Sequence, residues 1–234
     1  GRLIVTGGTF NGYPAIYGQG ITSQINISGG TFSTDPSSFV DAYAVSTENS
    51  DGTFSVITLP VDEDGTYLIN NANDLVLFEK LVNERGNGFN SKTVKLANNI
   101  DLADVNWKPI GTNADGANKF KGIFDGQGHT ISNMTVDQYD EVEYRAAGFF
   151  GALNGTAKNI IFDKATVTSI SAPNGKGNTD NGIAVVAGSI YTSGSIEGVT
   201  VKNSRVSGNR YVGGISGYTY GSVKNCNVED TTVT

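Results

Sequence analysis

The sequence has little of what most catalytic and metal-binding proteins use. Its 234 residues include one cysteine, Cys226, and one histidine, His129. A single cysteine excludes an intrachain disulfide, and one His with one Cys excludes a His/Cys metal cluster. Only 5 prolines accompany 31 glycines. Glycine without proline, and without a period of three, excludes a collagen-like helix. No apolar run approaches the ~18 residues of a membrane-spanning helix. Basic residues are outnumbered, 16 Lys and Arg against 23 Asp and Glu, for a formal net charge of −7. That balance argues against nucleic-acid phosphate or an anionic membrane as partner, because both need positive charge.

What is present is β-forming and repetitive. Val, Ile, Thr, Phe and Tyr recur in short runs, which favours strands. Near the N-terminus Val5-Thr6-Gly7-Gly8-Thr9-Phe10 returns as Ile27-Ser28-Gly29-Gly30-Thr31-Phe32, an offset of 22 residues (27 − 5). So short a unit cannot bury both faces of its strands alone and must stack on its copies.

A second repeat fills the C-terminal half. Its core is apolar-x-Gly, a short loop, then small-x-x-Asn-apolar-x-apolar. The copies are Phe149-Phe150-Gly151 with Asn159-Ile160, Val186-Ala187-Gly188 with Gly198-Val199, and Ile215-Ser216-Gly217 with Asn225-Cys226. A looser copy is Phe124-Asp125-Gly126 with Asn133-Met134. This alignment predicts inward columns of Phe149, Val186 and Ile215, and of Ile160, Val199 and Cys226. It also predicts a stacked ladder of Asn133, Asn159 and Asn225, interrupted by Gly198, since Asn tolerates left-handed turns. A polar, Gly-rich insertion over 171–182 reads as an outward loop.

One segment breaks the β pattern. Leu75, Phe78 and Val82 keep a helical spacing, with Asn71 or Asn73 as N-cap and Gly86 or Gly88 as stop, which predicts one short helix near 73–84. It would cover the open end of the coils that follow. Pro60-Val61-Asp62-Glu63-Asp64-Gly65 reads as a boundary. The expected organisation is therefore a β-repeat segment over 1–59, ending a preceding repeat unit, and a β-helix domain over 60–234. Both chain ends fall inside strand-like runs and read as cuts through a longer protein.

The residues also resemble a known family. Gly148-Phe149-Phe150-Gly151 through Lys158-Asn159-Ile160, and Gly213-Gly214-Ile215-Ser216-Gly217 through Lys224-Asn225-Cys226-Asn227-Val228, resemble the GLUG-motif repeat of bacterial surface proteins. Trp107-Lys108-Pro109-Ile110-Gly111, with Phe120 to Ile131, resembles the first coils that precede such repeats. The Gly-Gly-Thr-Phe-Ser run at 29–33, with Asp51-Gly52-Thr53-Phe54, resembles a separate repeat of large gut-bacterial surface proteins. The resemblance implies an all-β, right-handed parallel β-helix (solenoid) and an extracellular or cell-surface setting in bacteria. It implies no catalytic residues, because the motif is structural.

His129 lies in the turn Gly126-Gln127-Gly128-His129 with no evident nucleophile or acid beside it. Cys226 falls on an apolar repeat position. Asp101, Asp104 and Asp125 are the nearest candidates for a polysaccharide-cleaving acid pair, but they do not recur in register. Asp62-Glu63-Asp64-Gly65 and Asn178-Thr179-Asp180-Asn181-Gly182 offer oxygens for calcium without the spacing of a dedicated loop. No metal or cofactor is expected. Aligning Gly194 with Gly221 puts Tyr191 level with Tyr218, with Tyr220 and Tyr211 close by, and tyrosines in turns can offer flat faces to sugars or proteins. Tyr191, Tyr218 and Tyr220 are therefore the expected ligand-binding residues. The function expected is adhesion or structural spacing by a non-enzymatic, monomeric surface repeat with glycan or cell-surface protein partners. A carbohydrate-binding module is the alternative, and a polysaccharide lyase or hydrolase-like β-helix the third reading.

Overall fold

The computed structural model describes residues 2–16, 24–111, 118–138, 146–169 and 182–234. The chain divides into two compact units, Gly1–Pro60 and Val61–Thr234.

In the first unit, the strands Leu3–Phe10 and Ile25–Phe32 run parallel, pairing Val5 with Ile27 and Phe10 with Phe32. The 22-residue offset read from the sequence is thus the pairing register. Between these pairs the ladder slips, so that Thr6 meets Gly29. Gly8 and Gly30 take φ of 101° and 117°, a region closed to most side chains, which allows the irregularity. Beyond it the rings of Phe10 and Phe32 stack with centroids 4.9 Å apart. The remainder departs from a parallel repeat. Ala44–Glu48 and Phe54–Thr58 form an antiparallel hairpin that pairs along Ile25–Phe32. Asp51-Gly52 closes it, with Gly52 at φ 80° and the Asp51 carboxylate accepting from the Thr53 amide. Val5, Ile25, Ile27, Phe32, Ala44 and Val56 form the core of the unit.

The second unit is built of parallel sheets. Sheet I has six strands: Tyr67–Ile69, Thr93–Leu96, Ile123–Asp125, Thr156–Lys158, Ser195–Glu197 and Ser222–Lys224. Sheet II comprises Ile100–Asp101, Thr130–Ser132, Ile161–Asp163, Thr200–Lys202 and Asn227–Glu229. Sheet III comprises Thr135–Gln138, Thr166–Ser169, Arg205–Gly208 and Thr232–Val233. The pair Ile183–Ala184 and Val212–Gly213 forms sheet IV. Sheet V comprises Phe150–Leu153, Ala187–Ile190 and Ser216–Thr219. From Phe150 onward the chain visits V, I, II, III and IV in that order and then begins again at V. Each visit lies parallel to, and in register with, the strand of the visit before.

The register brings like residues level. Phe124, Ala157 and Ile196 are buried in sheet I, Ile131, Phe162 and Val201 in sheet II, and Val136, Val167 and Val206 in sheet III. Their successors on the last strands, Val223, Val228 and Val233, are 41–43% exposed. Both predicted columns are level as expected. Phe149, Val186 and Ile215 precede the paired Phe150, Ala187 and Ser216, and Ile160, Val199 and Cys226 precede Ile161, Thr200 and Asn227. Ile215 and Cys226 are only half-buried, because they lie on the last round.

Two sequence alignments need correction. The looser copy at Phe124 belongs to sheet I, whereas the residue level with Phe150 is Ile110, which bridges to it. Gly111 therefore heads the column Gly111, Gly151, Gly188, Gly217. A Cβ on Gly151 would press into the carbonyl oxygen of Gly111 and reach 3.0 Å from that of Ala146, so only glycine fits. The Asn ladder also divides. From Ile123 onward each round has two left-handed corners. Asn159, Gly198 and Asn225 turn the chain from sheet I to II, with φ of 55°, 62° and 52°. Asn133 belongs to the corner from II to III, with Lys164, Asn203 and Asp230 at φ of 56°, 57°, 50° and 42°.

The helix spans Ala72–Asn83, with Asn71 as N-cap accepting from the amides of Asn73 and Asp74. Leu75, Phe78, Leu81 and Val82 are buried along one face. Phe78 packs edge-on against Phe89 and Phe120 and stacks on Phe124 at 5.6 Å, so the helix covers the aromatic interior of the first rounds. Asn83 ties it down: its amide donates to Glu79 and to the Pro109 carbonyl, and its oxygen accepts from the Gly111 amide at 2.7 Å.

Candidate functional site

The predicted tyrosines come together, though in a different register. Ile190 pairs with Thr219, so Tyr191 is level with Tyr220, while Tyr218 is level with Ser189. Gly194 and Gly221 are nonetheless level across sheet I, since Ser195 pairs with Ser222. The loop 191–194 is therefore two residues longer than its counterpart, and aligning the glycines slipped the tyrosines by two. Tyr218 forms the centre of a cluster, edge-to-face with Tyr211 at 5.2 Å and with Tyr220 at 5.0 Å. The Tyr218 hydroxyl donates to that of Tyr220 at 2.9 Å. Arg210 lies over the Tyr211 ring at 4.7 Å and donates to its hydroxyl. Tyr220 is 56% exposed. The Lys119 ammonium lies 3.6 Å over the Tyr191 ring centroid. The insertion read over 171–182 lies outside the described residues, except Gly182.

Lys119, Tyr211 and Arg210 were not among the predicted ligand-binding residues. Lys119 is 72 positions before Tyr191, and only the parallel ladder brings it near. Phe120, Leu153, Ile190 and Thr219 are level across successive rounds. Lys121, Asn154, Tyr191 and Tyr220 each follow one of them. The basic and aromatic residues thus share one corner of the stack. Burial lowers the Lys119 pKa, and the charge of Lys121 lowers it further.

The carboxylates considered for catalysis hold the turns instead. Asp125 closes a sheet I strand. Burial alone would raise its pKa, but the Gln127 amide, the Asn159 side chain and Lys158 at 3.3 Å outweigh that and hold it below the usual range. Asp101 closes a sheet II strand and is held low by the Asn133 amide at 2.8 Å and the Ala103 N–H. Asn203 donates to Asp163 in the same way. An Asp at a strand end thus accepts from the Asn at the next round's left-handed corner. Asp101 and Asp125 end strands of different sheets and do not form a pair.

The Asp62 carboxylate accepts from the amides of Asp64 and Thr66, so it is engaged by its own turn. The other calcium candidate, Asn178-Thr179-Asp180-Asn181, lies outside the described residues. The described residues contain no group of three or more His, Cys, Asp or Glu suited to a metal ion. The His129 ring meets the Asn99 side chain at 3.3 Å, and the Cys226 thiol donates to the Lys224 carbonyl at 3.1 Å.

A 111-residue stretch, 47% of this chain, is 35% identical to Halomucin from Haloquadratum walsbyi (strain DSM 16790 / HBSQ001), of which it spans 1%. The crystal structure of a Bacteroides ovatus protein named as a candidate immunoglobulin A1 protease is similar over 73% of this chain and 59% of that one, with 20% identity and a TM-score of 0.49. Residues 208–234, which contain the Tyr211, Tyr218 and Tyr220 cluster, match the family model described as the GLUG motif, so this segment of the chain carries that motif.

Proposed function

We propose that the chain is a non-catalytic segment of an extracellular cell-surface protein, acting in adhesion or as a spacer, and that the parallel sheets of its second unit close into a right-handed β-helix. The observation that carries this reading is the parallel register of sheet I, kept across six strands. Each added round extends such a stack by ~4.8 Å at constant cross-section, which suits a segment that holds distal domains away from a surface. The engagement of Asp101 and Asp125 at corners supports a structural role for these acids. The GLUG motif and the Halomucin match support placement in a large surface protein. The expected partners are glycans or cell-surface proteins, with the chain monomeric. Antibody against this chain should label intact, unpermeabilised source cells, and incubation with acidic polysaccharides should yield no new reducing ends. Turnover of such a polysaccharide would overturn the non-enzymatic reading.

A second reading, carbohydrate binding, is favoured by the exposed ring of Tyr220 beside Tyr218 and Tyr211. Reproducible hits on a glycan array would establish it over a purely mechanical role.

A further inference from the structure

The corner that carries the tyrosines is basic, although the chain is acidic. Lys119 and Lys121 flank the buried Phe120, so both lie on the opposite side of the strand from it. Two rounds later Tyr191 sits under the Lys119 ammonium, and one round further Tyr220 follows Thr219 as Tyr191 follows Ile190. Arg210 continues the positive charge past Tyr211 and Tyr218. None of these three cations is ion-paired with a carboxylate among the described residues.

We propose that Lys119, Lys121, Tyr191, Tyr218, Tyr220 and Arg210 form a binding strip for an acidic polysaccharide lying along the stack, its carboxylate or sulfate groups on the cations and a sugar face on Tyr220. This rests on the carbohydrate-binding reading and names its ligand class. Three features support it. Two lysines that repel each other without a paired carboxylate are relieved by an anion, and ammonium–carboxylate and ammonium–sulfate contacts are charge-assisted. Successive rounds are ~4.8 Å apart, so an extended ligand meets a new side chain at each. The open ring is that of Tyr220, 56% exposed, whereas one face of Tyr191 is occupied by Lys119. Tyr191 is therefore a positioning residue that steadies Lys119 through a cation–π contact.

The test is calorimetric titration of the 234-residue chain with polygalacturonate, dextran sulfate, neutral dextran and a single-stranded DNA oligonucleotide. The strip predicts binding to polygalacturonate, dextran sulfate or both, weakening as salt rises. Which of them binds decides between carboxylate and sulfate. K119A/K121A should weaken binding at least tenfold, and Tyr220→Ala several-fold, with unchanged thermal melts. Tyr191→Leu should lower affinity for the charged polymer and flatten its salt dependence. Equal binding of neutral dextran overturns the acidic class while leaving the carbohydrate reading intact. Equal binding of the oligonucleotide overturns the sugar contact. Binding unaffected by K119A/K121A, or no binding to any polymer, overturns the strip, and the spacer reading stands apart because its tests use no ligand. Lys121 is exposed, so Lys121→Ala alone keeps the test decisive if a tyrosine variant misfolds.

Discussion

Truncation along one column gives a graded test of the stack. Phe149, Val186 and Ile215 occupy the same position on successive rounds, but only the first two are fully buried. The Phe149 ring stacks on Trp107 at 5.0 Å and 2° and also meets Phe124, Phe150 and Phe162. Phe149→Ala should cost about 3–5 kcal/mol, the range for buried aromatics replaced by alanine. Val186→Ala removes two methyl-sized groups and should cost about 2 kcal/mol with its cavity. Ile215→Ala, half-exposed on the last round, should cost only about 1–2 kcal/mol, because part of its surface is already wet. At ~2–4 °C per kcal/mol for a domain of this size, the midpoint falls by roughly 6–20, 4–8 and 2–8 °C in turn. The assay is thermal melting followed by tryptophan fluorescence. Trp107 is the single tryptophan, and its indole N–H donates to the Phe149 carbonyl at 3.1 Å. Phe149→Ala should therefore also shift the native emission to the red. An Ile215 variant as damaging as the Phe149 variant, or an unmoved midpoint in Ile215→Ala, would refute the column.

Three further outcomes follow from the same geometry. Gly151→Ala should cost at least ~1–3 kcal/mol by denaturant titration, since its Cβ meets backbone oxygens that cannot yield. Burial raises the Glu79 pKa above its ordinary value of 4.5, partly countered by the Asn83 amide. The folded state then holds this proton more tightly, so its contribution to stability falls as pH rises from about 4.5 through the raised folded value. Glu79→Gln should accordingly raise the melting midpoint at pH 7 and make no difference below pH 4. The Asp125 pKa is lowered from 3.8, so its contribution is present above that value and lost as pH falls through the folded one. Asp125→Asn should lower the midpoint at pH 7 and flatten that acid limb.

Several features were legible because they depend on local spacing. The 22-residue offset of Val5 and Ile27, the level columns and the helix with its Asn71 cap all follow from periodicity and turn chemistry. The two corners per round were not. A three-residue strand followed by a left-handed residue and an inward apolar residue occurs at both Asn133 and Asn159, so one string of residues serves two places. Aligning the loop-end glycines puts Tyr191 two residues out, because the loop length varies between rounds. The hairpin Ala44–Glu48 with Phe54–Thr58 was absorbed into the parallel repeat, although Asp51-Gly52 is itself a hairpin turn signal. The pairing of Lys119 with Tyr191 depends on three rounds of ladder and has no local trace.

The central claim is that successive rounds stack parallel and in register, and a distance measurement across sheet I tests it most directly. Lys95, Asp125, Lys158, Glu197 and Lys224 are level on five consecutive strands. Spin labels at Lys95→Cys and Lys224→Cys, in a chain with Cys226→Ser, are four rungs apart. Double electron–electron resonance should give one narrow distribution centred near ~20 Å, from four steps of ~4.8 Å and the label arms. A broad or multi-peaked distribution, or one centred beyond roughly twice that spacing, would contradict the stack.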